Sequence, residues 1–149
     1  MSENSEPVWI ETDLALAIHD RQLAEHGGPI GVRDAAGLDL ALARARNQWA
    51  YGETDLCALA AAYAYDVARN HPFTDGNKPT AWMLARLFLA SNDVRIAFVP
   101  EEAVGMVLAL AGGTLSEAGV AAWFTVRRAD APVDRRMQRP VRRFKTRTG

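Results

Sequence analysis

Residues 54–89 read TDLCALAAAYAYDVARNHPFTDGNKPTAWMLARLFL. Two apolar runs at helical spacing flank a short polar loop, so the pattern predicts two buried helices, over residues 55–70 and 78–90. The apolar positions are Leu56, Leu59, Ala60, Tyr63 and Val67 in the first run and Leu84, Leu87 and Phe88 in the second. Two buried helices joined in this way indicate an all-α core.

Four more helices are expected on either side of this pair. The first begins after an N-cap at Thr12 and ends at about His26, before two glycines. Its buried stripe is Leu14, Ile18 and Leu23. The second, third and sixth helices have expected N-caps at Asp34, Thr54 and Ser116, the fifth begins at Pro100, and the sixth ends near Arg128. The prediction is one all-α domain of about six helices, with at most a very small β element near residues 94–99.

The bulk composition limits the class of protein. With 149 residues, 49% of them hydrophobic, the chain is long enough for one domain with its own core. No segment approaches the roughly 18 consecutive apolar residues of a membrane-spanning helix, and the acidic residues 1–6 do not have the order of a signal peptide. The single cysteine, Cys57, excludes an internal disulfide, and its apolar neighbours favour a core position over a nucleophilic role. We therefore expect a cytoplasmic protein.

Charge is unevenly distributed along the chain. From Arg127 to the C-terminus there are nine Lys or Arg and two Asp, about +7, whereas the preceding residues carry eight Lys or Arg and sixteen Asp or Glu, about −8. The basic segment has no helical period and only one aromatic residue, Phe144, so direct nucleic-acid binding is not expected. We expect a flexible N-terminus over residues 1–7, a domain over residues 8–128, and a basic, disordered tail over residues 129–149.

The loop between the two apolar helices, HPFTDGNK at residues 71–78, carries the chemistry. A glycine turn that leads into a helix can hold a phosphate on backbone N–H groups, and Gly76 permits such a turn. Lys78 lies in the first turn of the helix, where the macrodipole disfavours a cation, so an anionic ligand explains it better. His71 is the natural general base for a hydroxyl nucleophile, although a histidine at a helix end is more often structural when it stands alone.

Other side chains of this loop have more than one possible role. Asp75 can ligate Mg²⁺ beside nucleotide phosphates or cap the next helix, and Asn77 can cap that helix or bind a phosphate oxygen. Phe73 is expected to bury its ring and anchor the loop to the core. A zinc site here lacks a third ligand of the right type nearby in the sequence. His19 and His26 have no comparable neighbours and are expected to be ordinary surface or helix-end residues.

Residues 71–78 resemble the signature loop of the Fic/Doc family, and the details favour its death-on-curing, or Doc, toxin branch. The resemblance extends to the His19-Asp20 helix that precedes two glycines, the Thr54-Asp55 helix start and residues 87–89, so it covers roughly residues 8–128. Fic members of the family transfer AMP from ATP to a protein hydroxyl and carry Gly at the position of Lys78. Doc toxins carry Lys there and are protein kinases that phosphorylate a threonine of the translation factor EF-Tu.

The resemblance implies a role for each residue of the loop. His71 would be the base on the target hydroxyl, and Asp75 would be the ligand of a Mg²⁺ ion bound with ATP. The groups that hold the phosphates would be Gly76, Asn77 and Lys78. The self-inhibiting helix of the family is absent from the sequence, so restraint would come from a cognate antitoxin, a small DNA-binding repressor of the Phd type.

Pro79 departs from the family pattern, which has an Arg at this position. Proline brings no charge to the phosphates and disfavours a helical conformation for Lys78, although a first-turn residue needs no N–H partner. Trp82 replaces a second Arg of AMP-transferring members, and Arg86 is the nearest spare cation on the helix, about 10 Å along its axis from Pro79. We expect the fold to survive and kinase activity to be severely reduced. The alternatives are an AMP-transferase and a catalytically inactive, antitoxin-binding co-repressor.

Overall fold

In a computed structural model, residues 5–129 of the chain are described and form six α-helices. They are α1 (Thr12–His26), α2 (Ala35–Ala50), α3 (Leu56–Asn70), α4 (Asn77–Ser91), α5 (Pro100–Ala111) and α6 (Glu117–Val126). β structure among these described residues is limited to two isolated bridges, from Val32 to Phe73 and from Ile96 to Arg128. The predicted all-α class, the number of helices and the very small β element are therefore confirmed.

α3 is the central helix of the fold. Ten of its fifteen residues are buried, five of them alanines, and α2, α4 and α6 pack around it. Small side chains let the neighbouring backbones approach closely without leaving voids. The fully buried Tyr63 accepts a hydrogen bond from Ile10 N at 3.1 Å, which ties the segment before α1 to the core. Cys57 is fully buried, as predicted.

α4 packs against α3 and also against α1. Its buried side chains include Leu84, Phe88 and Leu89, whereas Leu87 is only half-buried against the edge of the core. Because α4 is held between these two helices, its first turn and the loop before it lie beside both α1 and the end of α3. This packing decides where the site forms.

Three of the predicted helix starts are confirmed. Asp34 caps α2 by accepting from Gly37 N at 2.8 Å, and Ser116 caps α6 by accepting from Gly119 N at 3.0 Å. α5 begins at Pro100, whose fixed backbone angle suits the first helical position.

Two predicted N-caps were wrong by one residue. Glu11 occupies the N-cap position of α1, without a side-chain hydrogen bond, and Thr12 is the first helical residue. Asp55, not Thr54, caps α3, because its carboxylate accepts from Cys57 N at 2.9 Å. In both cases an acidic residue next to the threonine takes the position.

α6 ends at Val126, two residues before the predicted end at Arg128. The backbone that follows pairs with residues 95–97 instead of continuing the helix: Ala129 N donates to Arg95 O at 2.7 Å. The backbone after α6 therefore forms hydrogen bonds with an extended segment and no longer with the preceding helical turn.

The predicted apolar stripe of α1 was partly wrong. Leu14 is 41% exposed, and Ile18 is only half-buried. The buried face consists of Ala15, His19, Gln22 and Leu23. His19 on this face meets the loop between α3 and α4, whose backbone groups need hydrogen-bond partners, and its Nε2 lies 2.7 Å from Asp75 O.

Two predicted segments extend beyond the described part of the chain. Residues 130–149 of the predicted disordered tail and residues 1–4 of the predicted flexible N-terminus lie outside it. Among residues 5–129, none of the helices has the length and apolar character required to cross a bilayer.

Candidate active site

The motif loop, residues 71–76, reverses the chain between α3 and α4. His71 ends α3 in the left-handed conformation, with φ of 52°, and its N–H donates to Val67 O at 3.2 Å. This region is uncommon for a residue other than glycine and costs roughly 1 kcal/mol or more. Gly76, at the N-cap position of α4, has φ of 77° and adopts it without strain. Asp75, just before it, is exposed.

The loop between α1 and α2 lies against the motif loop. The N–H groups of Arg33 and Asp34 both donate to Pro72 O, at 2.8 and 2.9 Å. A Cβ atom at Gly28 would lie 2.5 Å from a carboxylate oxygen of Asp75, so this position requires glycine while the carboxylate keeps its place. The two loops therefore fix each other.

His19 of α1 supports the motif loop from the core side. Its ring is 2% exposed, its Nε2 lies 2.7 Å from Asp75 O, and it stacks on the buried Phe73 ring with centroids 3.8 Å apart. The expectation that His19 is an ordinary surface residue was wrong, because the loop covers it. His26 is exposed at the end of α1, as expected.

Asn77 holds the motif loop by two hydrogen bonds to one residue. Its Oδ1 accepts from Phe73 N and its Nδ2 donates to Phe73 O, both at 3.0 Å, and the side chain is buried. It does not cap α4, whose N-cap position is Gly76. These bonds position the loop and use one of the two N–H donors of Nδ2, so a phosphate contact from this amide does not require either bond to break.

These elements surround a cleft of about 390 Å³ that brings the predicted site residues together. Its lining is Arg33, His71, Phe73, Thr74, Asp75, Gly76, Asn77, Lys78 and Pro79. Asp75 Oδ1 accepts from Gly76 N at 2.8 Å. Within residues 5–129, the exposed imidazole of His71 and the exposed ammonium of Lys78 have no hydrogen-bond or ion-pair partner. An imidazole and an ammonium without partners among the described residues therefore share one cleft with a carboxylate.

Pro79 is the third residue of α4, where a missing N–H removes no helical hydrogen bond. The first such bond of α4 runs from Thr80 N to Gly76 O at 3.1 Å. Lys78 is helical, so Pro79 does not push it out of the helical region, and packing of α4 outweighs the local preference against this conformation. The fold accommodates Pro79, yet the residue brings neither charge nor N–H to the cleft.

Arg33 belongs to the cleft and was not among the predicted site residues. Its Nε donates to His71 O at 2.9 Å, and its Nη2 donates to Asn70 O at 3.0 Å and also to His71 O. Arg86, which the sequence indicated as the nearest spare cation, lies 4.9 Å from the ring centroid of Phe98 and does not line the cleft. The additional cation that lines the cleft therefore comes from another loop.

A larger groove of about 860 Å³ lies between α2, the start of α3 and α6, and it contains no motif residue. Arg44 in this groove is already neutralised, with Nη1 3.0 Å from Asp66 Oδ1 and Nη2 2.7 Å from Glu117 Oε1. Burial raises the pKa of Asp66, an effect that Arg44 opposes. Because the cation here is paired and no free base is present, we place the candidate site in the smaller cleft.

The side chains of the cleft fit a metal ion that is bound together with a phosphate-containing ligand. Among the described residues, no group of three His, Cys, Asp or Glu side chains could hold a metal ion. Asp75 offers one carboxylate, and Mg²⁺ is commonly held by one or two carboxylates together with substrate phosphates and water. The available donor set therefore suits Mg²⁺ bound to a nucleotide better than a resident zinc ion.

Two features identify the class of protein: the all-α fold with α3 at its centre, and the motif loop that follows α3. The sequence profile of the Fic/DOC family matches residues 9–89, from the segment before α1 to α4, and the chain belongs to this family. The protein named Protein kinase doc of Escherichia phage P1 is 36% identical over 113 residues, which are 75% of this chain and 89% of that protein. Toxin Doc of Mycolicibacterium smegmatis is 45% identical over 74 residues, which are 48% of this chain and 56% of that protein. The resemblance to the Doc branch is confirmed.

Proposed function

We propose that this chain is the toxin of a type II toxin–antitoxin system and that it transfers the γ-phosphate of ATP to a serine or threonine hydroxyl of a translation factor such as EF-Tu. The observation that carries the proposal is that the imidazole of His71 and the ammonium of Lys78, each without a partner among residues 5–129, line one cleft. Phosphoryl transfer depends chiefly on positioning and charge neutralisation, which these groups provide. Two relatives named as Doc proteins, one of them a protein kinase, support the proposal.

Each residue of the cleft has a place in this reaction. His71 takes the proton of the target hydroxyl as its oxygen attacks the γ-phosphorus and ADP leaves. Lys78 and the N–H groups at the start of α4 hold the phosphates, and Gly76 leaves the main chain open to them. Asp75 would hold Mg²⁺, and the bound ion would neutralise phosphate charge.

Pro79 limits the activity that we propose. An arginine that stabilises a transferred phosphoryl group is worth about 10³-fold or more in rate, so its absence is expected to leave a slow enzyme. Pro79 is either an inactivating change or the native residue of a relative that only binds. The second case favours an alternative function, a non-catalytic module that binds its antitoxin and tunes repression of their operon.

AMP transfer is the other alternative and has less support. Lys78 occupies the position where AMP-transferring members of the family carry glycine. Trp82, at the position of their second arginine, packs edge-on against Phe98 with centroids 5.0 Å apart and contributes no charge. We propose in addition that the partner is a small DNA-binding antitoxin of the Phd type and that the protein acts in the cytoplasm.

Labelling from ATP tests the proposal. The chain and its Pro79→Arg variant would be incubated with purified EF-Tu and ATP labelled at the α- or the γ-phosphate. We expect γ-label on EF-Tu from the variant, at a rate about 10³-fold above that of the unchanged chain, because the variant regains the arginine. His71→Ala in the variant is the matched control and should abolish the transfer.

Each other outcome supports a different function. Label from the α-phosphate would support AMP transfer. No label from either protein, together with tight antitoxin binding, would support the non-catalytic module. Rapid γ-labelling by the unchanged chain would contradict the proposed effect of Pro79.

A further inference from the structure

The guanidinium of Arg33 is held in the cleft with part of its donor capacity unused. A guanidinium carries five N–H donors. Nε uses one on His71 O, and Nη2 uses two on Asn70 O and His71 O. The two N–H donors of Nη1 have no partner within residues 5–129. The end of α3 therefore holds Nε and Nη2, and both N–H groups of Nη1 are available to a ligand.

The charge of Arg33 is also uncompensated. Several arginines of the described chain pair with a carboxylate, namely Arg21, Arg44, Arg46 and Arg127. Arg33 forms no such pair among the described residues, and the cleft that it lines contains a second unpaired cation, Lys78, and only one carboxylate, Asp75. Two cations that line one cleft repel each other, and an anion between them removes this repulsion.

We infer that Arg33 provides, from the loop between α1 and α2, the phosphate-binding cation that Pro79 does not provide from α4. The inference rests on the proposed function and names a further residue for the same cleft. Nη1 of Arg33 and the ammonium of Lys78 bind the phosphates of ATP together. ATP binding therefore survives the presence of Pro79, although phosphoryl transfer remains slow.

A role limited to the end of α3 would explain only half of these observations. Donors at the C-terminus of a helix satisfy its last carbonyl groups, and Nε and Nη2 do so here. Such a role needs neither the free Nη1 nor the absence of a counter-ion. The two roles differ in one respect: only a phosphate-binding role should become redundant when an arginine is restored at residue 79.

A double-mutant cycle uses this difference. The affinity for ATP with Mg²⁺ would be measured by calorimetry for the unchanged chain, Arg33→Gln, Pro79→Arg and the double variant. We expect Arg33→Gln to weaken binding at least about tenfold, since a charge-assisted hydrogen bond is lost. In the Pro79→Arg background, Arg33→Gln should weaken ATP binding less than about threefold, because the restored arginine already binds the phosphates. Arg21→Gln, on the exposed side of α1, is the matched control and should have no effect.

Two further measurements keep the outcome decisive. Arg33→Lys retains the positive charge but not the planar guanidinium, and it should bind ATP more tightly than Arg33→Gln. Urea unfolding reports whether each variant is folded. Equal weakening in both backgrounds, or no weakening, would overturn the inference while the proposed function stands. If neither the unchanged chain nor Pro79→Arg binds ATP, the proposed function fails and the inference fails with it.

Discussion

At the scale of single residues, the motif loop owes its shape to two buried polar side chains. His19 lies 2.7 Å from Asp75 O through its Nε2, and Asn77 satisfies both backbone groups of Phe73. A buried backbone group without a partner costs about 1–3 kcal/mol, so the bonds to Phe73 favour the observed conformation of the loop. In that conformation the carboxylate of Asp75 and the ammonium of Lys78 remain exposed at the cleft.

Replacement of His19 tests this support. His19→Ala should lower the free energy of unfolding by about 1–3 kcal/mol, because Asp75 O loses its partner and the Phe73 ring loses its stacked neighbour. Urea unfolding measures the change. His26→Ala, at the exposed end of the same helix, should change it by less than about 0.5 kcal/mol. Similar effects of the two substitutions would show that the loop does not depend on His19.

At the scale of helices, three elements are joined by one ionic network away from the site. Arg44 of α2 bridges Asp66 of α3 and Glu117 of α6. The side chain of Asp66 is only 10% exposed, and burial raises its pKa whereas Arg44 opposes the rise. Removing the cation would leave a nearly buried carboxylate unpaired, which is expected to destabilise the fold at neutral pH.

The pH dependence of this network gives a prediction. The folded-state pKa of Asp66 lies above its usual value of 3.8, so the folded state holds the proton more strongly, and this contribution to stability falls as pH rises. Arg44→Gln removes the opposing charge and should raise this pKa further. We therefore expect the variant to be less stable by about 1–3 kcal/mol at neutral pH and by less on acidification.

Urea unfolding across a series of pH values checks this expectation. Asp66→Asn in the Arg44→Gln background is the matched control, because it should remove the part of the pH dependence that comes from Asp66. A stability deficit that grows as the pH is lowered would contradict the assigned sign.

At the scale of the whole molecule, the order of the helices can be predicted from local sequence patterns. The complete set of residues that line the site cannot. Apolar spacing and capping residues predict six helices, with errors of one residue where Glu11 competes with Thr12 and Asp55 with Thr54. The motif residues are contiguous, so their presence in one cleft could be predicted. Arg33 contacts the end of α3 across 38 positions of sequence, and no local signal marks such a contact. Arg33 reaches the cleft because the loop after α1 packs on the motif loop.

The central claim is that the cleft beside the motif loop binds the phosphates of ATP. A titration of backbone amide chemical shifts with ATP and Mg²⁺ tests it most directly, with adenosine as the control that lacks phosphates. We expect the largest changes at Gly76, Lys78 and Arg33 and small changes with adenosine. No change is expected in the larger groove, at Asn47, Gln48, Tyr51, Gly52, Glu53 and Ala118. The largest changes in the groove, or none anywhere at about 1 mM ATP, would contradict the claim.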